Sequence, residues 1–305
     1  MNPSILILAG ATATGKTAAA LHLAKTLGGE LVGADSIQVY RGFDIGSAKP
    51  TADELGDTQH HLLDVLDPNE TIDAMGYARL ADAAIQGIAS RGHLPIVVGG
   101  TGLWIRALLR GLVNVPSPDP VIRARLEAEA AEDSLALHAR LRSVDPRSAE
   151  TIHPNDALRI VRALEVFEQT GRPMGELRAE HAEGEPRYPA LFVVLERDVD
   201  TLKSRIETRL GAMEEAGFVD EVRRLLQKWP RDARAFGSVG YRQVVAHLED
   251  GVPWEETRRA ILKATRVYAR RQRTWMNGER GVDWRCAAED LIRAEGVDRI
   301  KARLA

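Results

Sequence analysis

The stretch Gly10-Ala11-Thr12-Ala13-Thr14-Gly15-Lys16-Thr17 decides the fold. It matches the phosphate-binding loop pattern G-x-x-x-x-G-K-[ST], and we call residues 10–17 the P-loop. The apolar run Ile5-Leu6-Ile7-Leu8 before it predicts a buried strand, and the alanine-rich residues 18–25 after it predict a helix. The loop amides, the helix N-terminus and the Lys16 ammonium favour a diphosphate or triphosphate, and the Thr17 hydroxyl can ligate Mg²⁺. The motif does not say what is done with the phosphates.

Composition is that of an ordinary globular protein with one or two domains. The 305 residues are 44% hydrophobic and 28% charged, which allows a large core. The net charge of −3 predicts no global affinity for nucleic acid, so any such surface must be local. One cysteine, Cys286, excludes a disulfide framework and a cysteine-based zinc site, and it suits a reducing cytoplasm. The apolar run of the first strand is too short to span a membrane.

Three further apolar runs predict strands of a parallel sheet. Residues 31–34 end at Asp35-Ser36, residues 94–98 run into Gly99-Gly100-Thr101-Gly102, and residues 190–195 follow later. Ligands of open α/β sheets lie at the carboxyl ends of strands, so Asp35 and Thr101 are expected near the phosphates. Position alone leaves Asp35 equally open to a loop or N-cap role. No Asp follows Val98 to hold Mg²⁺, which counts against ordinary NTP hydrolysis.

Residues 60–65 contain a pair of adjacent histidines followed by a short, mostly apolar run. His60-His61 could suggest a metal site, but adjacent side chains of a strand point to opposite faces and no third ligand is near. A shared ion is therefore disfavoured. Residues 62–65 are interpreted as one more strand.

The middle of the chain differs in character from both ends. Prolines at positions 116, 118 and 120 mark a boundary, and residues 121–184 are helical, charged and poor in strand signals. His153-Pro154-Asn155-Asp156 predicts a turn and N-cap before a helix over residues 157–170. We therefore predict an α/β fold with a P-loop NTPase-like parallel sheet core, residues 1–115 and 188–305. Residues 116–187 are predicted to form a helical insertion domain.

A long helix is predicted from Trp254 to about Met276. Between positions 258 and 273 it carries no acidic residue and seven basic ones, interleaved with Tyr268: Arg258, Arg259, Lys263, Arg266, Arg270, Arg271 and Arg273. In a chain with a net charge of −3, this stripe indicates a local phosphate-binding surface. The alternative is a helix that packs on acidic neighbours or is simply solvated.

Three functions fit these parts. The first is a small-molecule kinase, and the second is a transferase that holds a diphosphate leaving group and modifies a nucleic acid. The third is a non-catalytic, nucleotide-dependent RNA-binding protein. The basic helix favours RNA over a small acceptor.

Seven separated motifs carry a resemblance to a known family. They are the P-loop, Asp35-Ser36 with Gln38 and Tyr40, Asp44-Ile45-Gly46 with Ala48-Lys49-Pro50, His60-His61-Leu62-Leu63-Asp64, Val98 to Leu103, His153 to Asp156, and Gly240-Tyr241-Arg242-Gln243. In this order they resemble the tRNA dimethylallyltransferases. The resemblance implies transfer of a dimethylallyl group from dimethylallyl diphosphate to N6 of the adenosine 3′-adjacent to the anticodon.

The resemblance also implies roles for single residues. Asp35 would be the catalytic base, and Thr101 would orient the amine or the leaving oxygen. Mg²⁺ on Thr17 would help to stabilise charge on the diphosphate, and Arg223 would be an extra contact. The diphosphate or nucleotide would lie on Gly10, Ala11, Thr12, Ala13, Thr14, Gly15, Lys16 and Thr17.

The implied partner is the anticodon stem-loop of tRNA, bound by both the core and the insertion. The implied contacts are Asp35, Ser36, Ile37, Gln38, Thr101, Arg123, Leu158, Arg159, Ile160, Val161, Arg162, Gly237, Ser238, Val239, Gly240, Tyr241, Arg242, Thr265, Arg266, Val267, Tyr268, Ala269, Arg270, Arg271 and Gln272. The family often has Pro at position 11 and Ser at position 14, and some members carry a C-terminal zinc finger that a single cysteine cannot build. We expect a cytoplasmic monomer that binds no membrane.

Overall fold

The computed structural model describes residues 2–182 and 184–304, which divide into two compact units. The core unit comprises the chain up to Leu109 and from Arg187 onwards, and the insertion unit is Arg110–Pro186. The first boundary falls ahead of the predicted residue 115. Each unit has its own hydrophobic core and is described separately.

One parallel sheet organises the core unit. Within the described residues it has six strands in the order β3-β2-β4-β1-β5-β6, and each neighbouring pair is parallel. The strands are β1 Ile5–Gly10, β2 Gly29–Ala34, β3 His60–His61, β4 Leu94–Gly99, β5 Ala190–Leu195 and β6 Trp284–Cys286. Strand β1 is buried along its whole length, and β4 and β5 are buried beyond their first residues. Nearly continuous apolar runs of this kind are typical of parallel strands covered on both faces.

Helices connect these strands and build the insertion unit. In chain order they are α1 Lys16–Leu27, α2 Ala52–Leu55, α3 Ala74–Ser90, α4 Gly102–Arg110, α5 Pro120–Glu132, α6 Ser134–Val144, α7 Pro146–Thr151, α8 Ala157–Thr170, α9 Met174–Ala182, α10 Val199–Glu215, α11 Phe218–Leu226, α12 Tyr241–Glu249, α13 Trp254–Asn277, α14 Ala288–Ile292 and α15 Ala294–Leu304. A short 3₁₀ helix covers Arg234–Gly237.

Alternating side chains of β1 serve the two faces of the sheet. Leu6 and Leu8 join a buried cluster that includes Leu23 of α1 and Ile300 of α15. Ile5 and Ile7 are equally buried and point to the opposite face. Elsewhere in the unit, Tyr77 of α3 stacks on Trp104 of α4 with ring centroids 4.4 Å apart. Burial on both faces holds β1, and therefore the P-loop at its end, in place.

The predicted strand over residues 62–65 is wrong. The strand consists of His60 and His61, and Leu62 and Asp64 then adopt φ angles of 65° and 54°. This left-handed backbone turns the chain and cannot continue a strand. The other predicted strands and the helix over residues 157–170 are confirmed.

His60 and His61 lie on opposite faces of β3. The ring of His61 is 2.7 Å from the carboxylate of Glu30, which also binds Arg91 and His93 at 2.6 Å each. Hydrogen bonds from Arg91 in the first place, and from the two histidines, lower the pKa of Glu30 to about 2. A Cβ atom placed on Gly33 would lie 3.4 Å from the His60 Nε2 atom. Because Glu30 and Gly33 face opposite sides of β2, the two imidazoles cannot share an ion.

Five helices, α5 to α9, build the insertion unit within its described residues. Leu126, Leu141, Ile160 and Leu164 are among the fully or almost fully buried side chains of its core. Aspartates cap the N-termini of four of these helices, and one of them is the predicted cap Asp156, whose carboxylate accepts from the Arg159 amide. Side-chain caps at the helix N-termini and one buried apolar cluster therefore account for the fold of this unit.

Candidate active site

The P-loop joins β1 to α1 in the geometry of an anion-binding nest. Ala13 and Gly15 have φ angles of 65° and 96°, which turn successive amides toward one side. The buried Thr14 hydroxyl donates to the Ala11 carbonyl at 2.9 Å and braces the turn. Helix α1 begins without an acidic residue in its first turn and without a side-chain cap, so its amides are free to bind an anion.

Gly10 is needed at the entry to this loop. A Cβ atom there would lie 2.7 Å from the Leu195 carbonyl oxygen of β5 and 2.9 Å from the Thr14 hydroxyl. Any side chain would push the loop away from the neighbouring strand.

Lys16 supplies a desolvated positive charge. Its Nζ atom donates to the Ala11 carbonyl at 2.7 Å. Burial, with a smaller contribution from Arg209, lowers the pKa of Lys16 to about 8 against the opposing influence of Asp35. Bound phosphate oxygens would stabilise the charged form of the Lys16 ammonium, so the site is suited to an anionic ligand.

Helix α10 brings two arginines to the P-loop from far along the chain. The guanidinium of Arg209 donates to the Thr12 hydroxyl at 3.3 Å, and that of Arg205 donates to the Ala13 carbonyl at 3.4 Å. Burial and then the nearby Arg205 lower the pKa of Arg209. The sequence analysis missed both residues, which lie 192 and 197 residues along the chain from their partners in the P-loop.

Arg223, which was predicted to contact the diphosphate, lies elsewhere. It is on α11, is half-exposed and pairs with Asp220 on the same helix. It is not among the residues that line the cavity at the P-loop. Arg209, and not Arg223, therefore lies beside the P-loop.

One cavity of about 930 Å³ extends from the P-loop across the carboxyl end of the sheet. All of its lining residues belong to the core unit. They include Lys16, Thr17, Asp35 to Gln38, Arg209, Gly237 to Gly240, Arg242, Thr265, Tyr268 and Arg271. Its size is in the range of cavities that hold small organic ligands.

Asp35 combines both of the roles that its position left open. One carboxylate oxygen accepts from the amides of Ile37 at 2.9 Å and Gln38 at 3.3 Å, which fixes the loop after β2. The second oxygen has no hydrogen-bond partner among the described residues, and Asp35 lines the cavity. An anchored carboxylate with one free oxygen has the form of a positioned general base.

Thr101 is not among the residues that line the cavity, and it contacts the loop that carries Asp35. Its hydroxyl accepts from the Ser36 amide at 3.1 Å, and its own amide donates to the Ala34 carbonyl at 3.1 Å. These contacts give Thr101 a part in holding the Asp35 loop. Burial raises the pKa of the Tyr268 hydroxyl, which lies on α13 and also lines the cavity.

His60 presents an uncharged ring to the same cavity. Neither ring nitrogen has a hydrogen-bond partner, and both are buried although the residue as a whole is half-buried. Desolvation, reinforced by His61, lowers the pKa of His60 to about 4. The ring is therefore neutral at physiological pH.

Several predicted tRNA contacts of the core unit are buried instead. Tyr241 is fully buried, and its hydroxyl donates to Glu221 at 2.6 Å beneath the rings of Phe43 and Phe218. Ala269 and Gln272 lie on the inner face of α13. These three side chains cannot contact RNA, because helical periodicity turns them into the core.

The outer face of α13 remains basic and exposed. Lys263, Arg270, Arg271 and Arg273 form no salt bridge with any of the described residues. Arg258 and Arg266 instead approach Glu214 and Glu207 at 3.2 Å and 3.9 Å, so part of the stripe does pack on acidic neighbours. The free cations are available to phosphates.

The predicted residues of the insertion unit divide in the same way. Ile160 and Val161 are buried in its core, whereas Leu158 and Arg159 are exposed. Arg123 and Arg162 both bind the fully buried carboxylate of Glu165, at 2.8 Å and 2.7 Å. Burial alone would raise the pKa of Glu165, but hydrogen bonds from Arg162 and Arg123 keep it below its usual value. Ile160 and Val161 are thus corrected to core residues.

No group of three or more His, Cys, Asp or Glu side chains in the described part of the chain could hold a metal ion. Among the same residues, no helix combines the length and the apolar character that crossing a membrane requires. The Thr17 hydroxyl lines the cavity beside Lys16 and has no hydrogen-bond partner among the described side chains.

Comparisons with known proteins agree with this geometry. The family model described as IPP transferase matches residues 38–279. A tRNA dimethylallyltransferase of Sorangium cellulosum is 50% identical over 276 residues, which cover 90% of this chain and 88% of the relative. One of Anaeromyxobacter dehalogenans is 50% identical over 288 residues, 94% of each chain. The crystal structure of a tRNA isopentenylpyrophosphate transferase from Bacillus halodurans is similar with a TM-score of 0.74 and 34% identity, covering 100% of this chain and 97% of that one.

Proposed function

This chain belongs to the tRNA dimethylallyltransferase family, and we propose that it transfers a dimethylallyl group from dimethylallyl diphosphate to tRNA. The acceptor is N6 of the adenosine 3′-adjacent to the anticodon, and the products are N6-isopentenyladenosine and diphosphate. The observation that carries the proposal is the single cavity shared by Lys16, Arg209 and the free oxygen of Asp35. An anion site and a base thus open onto the same space.

The diphosphate of the donor would bind the P-loop. The amides at the start of α1, the Lys16 ammonium and the Arg209 guanidinium would surround its oxygens. As the bond between the allyl carbon and its oxygen breaks, negative charge grows on the diphosphate. These cations are held in place before the reaction begins, so they stabilise that charge without reorganisation, which lowers the barrier.

Asp35 would act on the acceptor. The N6 amine of adenine is a poor nucleophile, because its lone pair is delocalised into the ring. As N6 bonds to the allyl carbon, its proton passes to the free carboxylate oxygen of Asp35, and the diphosphate leaves with the electron pair. The base must leave its stack in the RNA to reach this carboxylate.

The donor phosphates would bring Mg²⁺ to the pocket, where Thr17, which lines the cavity beside Lys16, would offer a hydroxyl ligand. When bound, Mg²⁺ would neutralise part of the diphosphate charge.

For tRNA, we keep the predicted contacts that are exposed or half-buried and omit the buried ones. In the core unit these are Asp35 to Gln38, Thr101, Gly237 to Val239, Arg242, Thr265 to Tyr268, Arg270 and Arg271. In the insertion unit they are Arg123, Leu158, Arg159 and Arg162. A tRNA substrate and a free cysteine both suit a cytoplasmic enzyme. We keep the monomer as the expected state.

A transfer assay tests the proposal. Purified protein, Mg²⁺ and unmodified tRNA are mixed with allyl-labelled dimethylallyl diphosphate, and a parallel tube contains γ-labelled ATP. We expect allyl label in tRNA and none with Lys16→Ala. Label passed from ATP to a small acceptor would indicate a kinase instead, and tRNA binding without transfer would indicate a binding protein.

A further inference from the structure

Helix α13 presents different chemistry on its two faces. The outer face carries the exposed cations Lys263, Arg270 and Arg273. The inner face packs so closely on the turn after β4 that a Cβ atom at Gly102 would lie 2.2 Å from the Trp275 ring. One rigid helix therefore lies between the proposed RNA surface and the catalytic loops.

Gln272, on the inner face, is bonded to the P-loop itself. Its Oε1 atom accepts from the Thr12 amide at 2.8 Å, and its Nε2 atom donates to the Gly100 carbonyl at 3.0 Å. The side chain is 6% exposed, and a Cβ atom at Gly100 would come within 2.2 Å of its Nε2 atom. A buried amide with both ends engaged has little freedom to reorient.

The same amide is linked to the loop of the base. Its Nε2 atom donates to the carbonyl of Gly100, which directly precedes Thr101 in the turn after β4. The Thr101 hydroxyl in turn accepts from the Ser36 amide, next to Asp35. Contacts thus run from Thr12 of the P-loop through Gln272 and the Gly100-Thr101 segment to the Asp35 loop.

We propose that Gln272 is a positioning residue that couples tRNA binding on the outer face of α13 to the conformation of the P-loop. The inference rests on the proposed function. RNA that fixes the position of α13 would hold Thr12 through Gln272, and a diphosphate that fixes the P-loop would hold α13 in return. Coupling between two binding sites is reciprocal, so each ligand strengthens the other by the same factor.

Only a carboxamide of this length suits both partners. Glutamate has no donor for the Gly100 carbonyl and would put a negative charge beside the phosphates. Asparagine is one methylene shorter and cannot keep both bonds. Leucine has similar bulk and neither bond.

The experiment measures a coupling factor. The dissociation constant of tRNA is determined with and without saturating inorganic diphosphate and Mg²⁺. The coupling factor is the constant measured without them divided by the constant measured with them. We expect at least about fivefold tightening in the wild type and a factor near one in Gln272→Glu and Gln272→Leu. Gly100→Ala, which displaces the amide, should lower the factor as well. Arg270→Ala should weaken tRNA binding and keep the factor.

The possible failures are distinguishable. A wild-type factor of one would overturn the coupling proposal without any variant having to fold. An unchanged factor in folded Gln272 variants, checked by melting, would also overturn it. Neither result touches the proposed function, which stands or falls with allyl transfer by the wild type.

Discussion

The Arg209 guanidinium donates to the Thr12 hydroxyl at 3.3 Å, so helix α10 completes the P-loop from outside the motif. This geometry predicts that Arg209→Ala raises the KM for dimethylallyl diphosphate by about tenfold to a hundredfold, since a hydrogen bond to a charged group contributes roughly 1.5–3 kcal/mol. The KM for tRNA should change little. Steady-state kinetics with each substrate varied in turn measures both.

Arg223→Ala is the matched control for Arg209. It removes the same charge from a neighbouring helix, at a residue that pairs with Asp220 outside the cavity. We expect donor kinetics within about twofold of the wild type. A large rise in donor KM for Arg223→Ala, with none for Arg209→Ala, would reverse the assignment.

Asp35 allows its two roles to be separated. Asp35→Asn keeps an oxygen that accepts from the Ile37 and Gln38 amides but removes the base, so kcat should fall by about 10²–10⁴ with tRNA affinity retained. Asp35→Ala also loses the loop anchor and should lower thermal stability further. Single-turnover transfer and tRNA binding would be measured for both variants. Near-normal transfer by Asp35→Asn would rule out Asp35 as the base.

These residues also show what the sequence could and could not predict. The P-loop was predictable because all of its chemistry lies within eight consecutive residues and its flanking elements have clear apolar patterns. Arg209 and Gln272 were not, since they reach the P-loop from 197 and 260 residues away. Such contacts depend on how helices pack on the sheet, which no local pattern contains.

Burial explains the remaining differences. Tyr241 begins α12 directly after a glycine-containing turn, yet its ring packs between Phe43 and Phe218 and its hydroxyl binds Glu221. Ile160 and Val161 were included because they fall within a continuous stretch of the family pattern, although helical periodicity turns them into the core of the insertion unit. A continuous segment that was predicted to bind tRNA therefore includes buried residues, which stabilise the fold of the segment and do not contact the ligand.

Lys16 predicts a pH dependence of donor binding. Its pKa is about 8 in the free protein, and bound phosphates favour the charged form. Donor affinity should therefore hold below pH 8 and fall above it, by up to about tenfold per pH unit, as the ammonium deprotonates. Lys16→Arg retains its charge throughout this range and should flatten the profile. Donor dissociation constants from pH 7 to 9.5 would measure it, and a flat wild-type profile would contradict the prediction.

His60 predicts a loss of stability in mild acid. The pKa of His60 is about 4 in the folded chain against about 6.5 when unfolded, so the unfolded state binds more protons between these values. The free energy of unfolding should thus fall as pH drops below 6.5, by about 2 kcal/mol at pH 5 from this group. Protonation of Glu30, whose pKa is about 2 in the folded chain, lowers stability only below about pH 4.5. It therefore does not contribute to the change between pH 7 and 5.

Urea unfolding of His60→Leu checks the assignment. Neither ring nitrogen of His60 has a partner, so the variant should be at least as stable as the wild type at pH 7. Between pH 7 and 5 the urea midpoint of the variant should shift less than that of the wild type. His22→Leu, at an exposed histidine, should keep the wild-type shift. Equal shifts in all three proteins would argue against His60 as the cause.

The outer face of α13 predicts the salt dependence of tRNA binding. Arg270, and Arg271 at the edge of this face where it also lines the cavity, are exposed and free of salt bridges with the described residues, so together they should neutralise about two phosphates. The double Arg→Ala variant should bind tRNA more weakly and show a log–log salt slope that is shallower by about two. Arg293→Ala with Lys301→Ala removes the same charge from the C-terminal helices and should leave the slope unchanged. If both double variants change the slope equally, tRNA responds to net charge rather than to α13.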